Sequence, residues 1–244
     1  QKPIIGVNHI EGHIYSNWLN KRASKIRFPA LILIVSGGHT ELVLMKNYGK
    51  YKIIGETLDD AAGECFDKSA RILGLGFPGG PAIAAKAAKF PSFAKASEGK
   101  QIKLPRPMLN SADYNFSFSG LKTAVLYLYN DLVKKYPISK IRPALAFEVQ
   151  NAIVDVLTAK TLKAARNFNP KSVMVVGGVS ANKKLREEMA SKLRSYEISL
   201  FIPDLDYTTD NAAMIAVAGY FDCFQKKPNK NSWKKIKADA NLSL

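Results

Sequence analysis

Ala30-Leu-Ile-Leu-Ile-Val-Ser-Gly-Gly-His-Thr-Glu-Leu-Val-Leu-Met45 reads as two strands around a glycine tip. Ala30 to Val35 is an unbroken apolar run of strand length, which predicts a buried strand, and Thr40 to Met45 predicts the returning one. Between them Ser36-Gly-Gly38 makes a tight turn. Glycines there let backbone amides approach an anionic ligand with no side chain in the way, while Ser36 and Thr40 add hydroxyls. A plain hairpin turn would use the same residues.

The pattern repeats downstream in another form. Ser172-Val-Met-Val-Val176 predicts a buried strand delivering Gly177-Gly178, then Val179-Ser-Ala-Asn182 and a helix from about Lys183 to Leu193. A helix N-terminus after a glycine turn offers unpaired amides and the positive end of a dipole, so Gly177, Gly178 and Asn182 are candidates for holding phosphate or nucleotide. G-x-x-x-x-G-K-[ST] does not occur, and the one G-x-G-x-x-G, Gly74 to Gly79, follows a predicted helix instead of a strand and contains Pro78, which argues against P-loop and Rossmann chemistry. Helical spacing predicts further helices over residues 58–73, 119–132, 141–167 and 212–224, with a short strand over 199–202. Gly74 to Pro81 breaks the first of these, and residues 90–115, rich in Pro, Ser, Lys and Ala, read as a surface excursion.

Upstream of the hairpin stands Asn8-His-Ile-Glu-Gly-His13. Two imidazoles at i and i+4 share one side of a helix and can reach one metal ion. In a zinc protease of H-E-x-x-H type the general base directly follows the first His; Glu11 instead lies about 200° round the helix from His9. Glu11 is therefore not expected to activate a metal-bound water. Two ordinary histidines on a helix are the alternative reading, and Asp210, just before the helix over 212–224, reads on its own as an N-cap.

Composition narrows the class. With 244 residues and 47% hydrophobic content the chain can bury a full core. No apolar stretch is long enough to span a bilayer and no leader opens the chain, which predicts a soluble, cytoplasmic protein without a membrane partner. Cys65 and Cys223 lie outside any C-x-x-C spacing and read as reduced thiols. A formal charge of +16 favours a polyanion such as nucleic acid, with lysines and arginines batched at 21–27, 86–103 and in the tail beyond Phe224.

Seven motifs taken together resemble the TsaD/Gcp family: Asn8 to His13, Val35-Ser-Gly-Gly-His-Thr40, Asp60-Ala-Ala-Gly-Glu-Cys-Phe-Asp67, Phe77-Pro-Gly-Gly-Pro81, Phe116-Ser-Phe-Ser-Gly-Leu-Lys122, Gly177 to Asn182 and Thr209-Asp-Asn-Ala212. Their order and spacing match across nearly the whole chain. The resemblance implies an α/β ASKHA fold, actin-like and Hsp70-like, of the RNase H-like type. It also implies transfer of a threonylcarbamoyl group from threonylcarbamoyl-AMP to N6 of the adenosine beside the anticodon of tRNA.

Carried over by position, His9, His13 and Asp210 would hold one divalent ion, iron or zinc. Ile34, Val35, Ser36, Gly37, Gly38, Asp67, Gly80 and Asn182 would line the adenylate pocket, with Glu64 a weaker polar candidate, and no general base is assigned. TsaB- and TsaE-like proteins are the implied partners. The family pattern has roughly a hundred residues before the position of Gln1. Residues 1–29 are accordingly expected to be the end of an N-terminal lobe carrying the metal-binding helix, 30–225 the C-terminal lobe with a helical insertion at about 57–145, and 226–244 a basic tail. Two other readings compete: a metallopeptidase, and a non-catalytic nucleotide- or tRNA-binding fragment.

Overall fold

The computed structural model describes residues 4–90, 102–225, 231–234, 236–239 and 242–244. Much of the expected basic tail and the middle of the 90–115 excursion therefore lie outside the described residues.

The apolar run becomes β1 (Ala30–Val35), central in a five-stranded sheet of order β3-β2-β1-β4-β5. All six of its residues are fully buried, as expected for a strand covered on both faces. The returning strand β2 (Thr40–Asn47) pairs antiparallel with β1, and β4 (Ser172–Val176) and β5 (Ser199–Phe201) run parallel to it. Because Ile34 lies opposite Val176, the two glycine turns leave the sheet side by side at the same end. Crevices beyond the carboxyl ends of parallel strands are where open α/β sheets bind ligands. The edge strand β3 (Lys50–Glu56) was not foreseen: most of its residues are exposed and its pairing with β2 shifts register twice, so it lacks clean alternation.

Alternation along β1 divides the core. Leu31, Leu33 and Val35 face a helical layer of α2 (Ala62–Ile72), α3 (Gly79–Ala87), α4 (Ser119–Leu132), α5 (Ile138–Phe168) and α6 (Lys183–Arg194). Ala30, Ile32 and Ile34 face α1 (His9–Tyr15) and α7 (Ala212–Gln225), where Ile14, Tyr15 and Ala218 complete a smaller core. The α1 residues thus pack directly on the sheet and on α7 through Gly12.

Three helices depart from expectation. α2 begins at Ala62, not at Leu58, and α3 forms where Gly-Pro-rich sequence predicted only a break. α5 begins at Ile138 although Pro143 stands in its second turn, since the 31-residue helix loses only one amide there.

The late start of α2 has a specific cause. The Asp59 carboxylate accepts bonds from Ser117 Oγ (2.6 Å), Ser119 Oγ (2.6 Å), Phe118 N (2.7 Å) and Ser119 N (3.2 Å), capping α4 from a distant loop. Partial desolvation pushes its pKa up, but the bonds from Ser117 and Ser119 outweigh it and hold the carboxyl below its ordinary value. Stability from this knot is therefore present at neutral pH and is lost as pH falls through the depressed folded-state pKa. Asp59→Ala is expected to cost about 1–2 kcal/mol, the scale of a lost N-cap, and urea unfolding would read it as a lower midpoint at unchanged slope.

Candidate functional site

α1 is short but well started. Asn8 Oδ1 accepts from Ile10 N (2.8 Å) and Glu11 N (3.3 Å), which fixes the first turn and places His9 and His13 one turn apart. Their rings meet edge to face with centroids 4.8 Å apart, and each Nε2 lies 3.2 Å from the same Asp210 oxygen. His13 is almost wholly buried whereas His9 and Asp210 are open to solvent, so the cluster forms the floor of a surface site. Burial, then the neighbouring His9, lower the pKa of His13 against the opposing pull of Asp210, favouring the neutral imidazole that a metal requires.

Asp210 does not cap α7. Asn211 does: its Oδ1 accepts from Met214 N at 2.9 Å, leaving the Asp210 carboxylate for the histidines. Two imidazoles and one carboxylate, with all ligand atoms within 4.8 Å of one another, form a donor set suited to zinc or iron with coordination positions left over. Glu11 is turned elsewhere, beside Tyr15 and Tyr51; burial first, then Tyr15 and Glu11, push the Tyr51 hydroxyl far above its ordinary pKa.

The glycine tip lies beside this cluster, with His39 close enough for its charge to act on His13. The tip is braced from both sides. Gly63 N donates to Ser36 O (3.1 Å), and a β-carbon at Gly63 would stand 2.4 Å from that oxygen. On the other flank Gly177, at φ 90° and ψ 169°, backs onto the Val35 carbonyl, where a β-carbon would stand at 2.4 Å. By contrast, β-carbons at Gly37, Gly38, Gly80 and Gly178 would meet nothing within 4 Å. One set of glycines is needed for packing; the other faces open space a ligand can enter.

Several expected contributions change in kind. Thr40 is buried and its hydroxyl accepts from Ala62 N (2.8 Å) at the start of α2, so it is not available to a ligand. Ser36 Oγ accepts from Gly38 N (3.3 Å) and His39 N (3.0 Å), holding the turn closed on itself. Ile34 and Val35 are fully buried and can offer a ligand only backbone.

Asn182 caps α6 by accepting from Leu185 N (3.1 Å) and donates to Gln150 Oε1 (3.1 Å). Asp67 Oδ1 accepts from Gly79 N (2.7 Å), tying α2 to the start of α3 and setting Gly80 in place. Asp67 also borders a depression of about 230 Å³ with Arg71, Leu75, Gly76 and Phe77. Glu64 pairs with Lys68 at 2.9 Å and is drawn below its ordinary pKa by that bond. Cys65 is buried and its thiol is pushed up to about 12, while Cys223 is free and half-buried.

Gly63, Asp59 and Asn211 escaped sequence reasoning. Gly63 left one trace, as a glycine in the first turn of an otherwise good helix; Asn211 was masked by the neighbouring Asp210, an equally good cap.

Residues 1–217 match the family described as TsaD, tRNA N6-adenosine threonylcarbamoyltransferase. Among curated proteins, a tRNA N6-adenosine threonylcarbamoyltransferase of Caldicellulosiruptor saccharolyticus is 46% identical over 234 residues, covering 96% of this chain and 66% of the relative. The protein of that name from Bacillus subtilis is 49% identical over 219 residues, covering 89% of this chain and 60% of the relative. The chain thus spans somewhat less than two thirds of these relatives. Among solved structures, full-length HypF in a phosphate- and nucleotide-bound form aligns over 91% of this chain and 36% of its own, with a TM-score of 0.63 at 11% identity. At that identity the likeness shows the fold alone, and the fold is of the ASKHA type.

Proposed function

The chain belongs to the TsaD family of tRNA N6-adenosine threonylcarbamoyltransferases, and from that premise we propose that it carries out this transfer with His9, His13 and Asp210 holding one divalent metal ion, iron or zinc. The observation that carries the reading is the convergence of two imidazole nitrogens on one carboxylate oxygen beside paired glycine turns. When bound, the metal supplies a Lewis acid that orients and polarises an oxygen of the donor.

The donor is threonylcarbamoyl-AMP, a mixed anhydride. N6 of the adenosine attacks the carbamoyl carbon, the bond from that carbon to the phosphate oxygen breaks, and AMP leaves with the electron pair while the amine loses its proton to solvent. The open faces of Gly37, Gly38 and Gly178 accept the adenylate at backbone distance, and the amides of Gly37 and Gly178 stabilise its phosphate, since that of Gly38 is given to Ser36 Oγ. Asp67 keeps its second oxygen for ribose hydroxyls while the first holds α3. Asn182 positions the start of α6 beneath the nucleotide. Much of the acceleration comes from holding the reactants in register.

The metallopeptidase reading loses its general base, since Glu11 is directed to Tyr15 and Tyr51. TsaB- and TsaE-like proteins complete the proposed complex, in the cytoplasm where tRNA is modified; no described helix is long and apolar enough to cross a membrane. The test is reconstitution: metal-loaded protein with those partners, synthetic donor and unmodified tRNA, followed by nucleoside analysis. Threonylcarbamoyladenosine should accumulate in proportion to enzyme. Donor binding without any modified nucleoside would leave only the binding-protein reading.

A further inference from the structure

At the end of the sheet away from the glycine turns, the starts of β1, β3, β4 and β5 and the end of β2 lie side by side, because Ala30 pairs with both Met45 and Ser172 and Ser172 with Ser199. This rim carries Lys25 and Arg27 before β1, Lys46 and Lys50 at the β2–β3 turn, Arg166 in the last turn of α5 and Lys171 before β4. All six are exposed. Residues 25–29, 46–50, 166–171 and 197–199 contain those six cations and a single carboxylate, Glu197.

The rim differs from the helical surfaces that carry ion pairs. There several lysines are matched by acids one turn away, Lys68 with Glu64, Lys183 with Glu187, Lys184 with Glu188 and Lys134 with Asp131, although Lys140 and Lys192 are not. Among the described residues, none of the six rim cations has a carboxylate within 4.0 Å. Aromatic rings accompany them: Arg166 lies over Tyr196 at 5.1 Å, and Tyr48, half-exposed, stands between Lys46 and Lys50. The backbone amides of Arg27 and Lys171 are already used, by Ser172 Oγ and Pro29 O, which pins the rim's backbone, and Arg166 Nε donates to the Tyr196 hydroxyl (2.7 Å), which fixes that guanidinium without neutralising it.

We propose that this rim is a second RNA-contacting surface, binding the phosphate backbone of the acceptor RNA at the end of the sheet opposite the chemical site. Uncompensated, closely spaced cations on a fixed edge hold mutually repelling charge, and a polyphosphate relieves that repulsion with release of its counterions. An RNA is favoured over an anionic lipid surface because the rim offers planar guanidinium groups beside aromatic rings at strand ends. The six residues of β1 separate rim from site by about 17 Å at the rise of a strand, so an RNA touching both must be a folded, extended body. Base recognition would stay at the glycine turns, and the rim would set affinity and orientation without reading sequence.

The inference rests on the acceptor being an RNA, as the transferase reading holds. Its test is the salt dependence of tRNA binding by fluorescence anisotropy, comparing the protein with a Lys25→Gln, Arg27→Gln, Lys46→Gln, Lys171→Gln variant. Each lost phosphate contact should lower the log–log salt slope by about 0.7–1, so the variant should lose roughly 3 units of slope and bind at least about tenfold more weakly at 100 mM salt, with donor affinity and unfolding midpoint unchanged. An unchanged slope overturns the proposal, as does binding to phosphatidylserine vesicles that falls in the variant while tRNA binding does not. The two readings fail separately. A reduced slope with no nucleoside ever modified would sink the transferase and spare the rim; transfer by a variant with a full slope would do the reverse.

Discussion

His13→Ala is expected to empty the proposed metal site and to slow transfer steeply while leaving donor binding nearly intact. Its Nε2 is one of two that meet Asp210 at 3.2 Å, and its ring is the one ligand of the three that is buried. Loss of the ring leaves His9 and Asp210, both open to water and free to move, which is too few ligands in too loose an arrangement for stable coordination. Bound metal, expected at about one per chain in the parent protein, should fall to near zero after dialysis. The rate should drop about 10²–10³-fold, the scale of losing a positioned electrostatic stabiliser.

Asp210→Asn provides the control for charge at nearly constant shape. An amide is a poor ligand, so metal should again be lost, yet α7 should stay capped because Asn211 supplies the cap. If Asp210→Asn instead lowered the unfolding midpoint by several degrees with metal retained, Asp210 would be a structural residue and the metal assignment would fail. Glu11→Gln should retain both metal and transfer, since Glu11 is engaged with Tyr15 and Tyr51 on the far side of α1.

How far the sequence could be read follows from which forces are local. The unbroken apolar runs of β1 and β4, each followed by paired glycines, predict their strands and turns because full burial on both faces needs no partner to be recognised. The paired histidines are likewise local, fixed by helical spacing alone. Features set by distant partners were not legible. Asp59 belongs by sequence to the approach to α2, but it caps α4, 60 residues away, and so delays the start of α2. Thr40 reads as a ligand hydroxyl until Ala62 claims it. Asp210 and Asn211 are both good caps, and only the position of α1 against α7 decides which is released for the histidines.

The glycines divide in the same way, and substituting them separates architecture from binding. Gly177→Ala should be among the most damaging single changes in the chain. A φ of 90° with ψ of 169° lies in a region essentially reserved for glycine, and the added methyl would meet the Val35 carbonyl at 2.4 Å. Strain of about 1–3 kcal/mol and overpacking of similar size should together remove about 3 kcal/mol, or roughly 6–12 °C of melting temperature in a domain of this size.

Gly63→Ala has ordinary backbone angles, but its methyl would stand 2.4 Å from Ser36 O and 2.9 Å from Gly37 Cα, so it should push the turn itself. Donor affinity should then fall about 10–100-fold, since a shift of about 1 Å in a positioned group costs on that order. Gly37→Ala meets nothing within 4 Å in the protein, so its melting temperature should hardly change. Donor affinity should nevertheless drop about tenfold or more, because the methyl would occupy the face that the adenylate approaches. Calorimetry of the three variants beside donor titration decides the matter: if Gly37→Ala bound donor as tightly as the parent protein, the tip would be a hairpin turn and the adenylate would have to lie elsewhere.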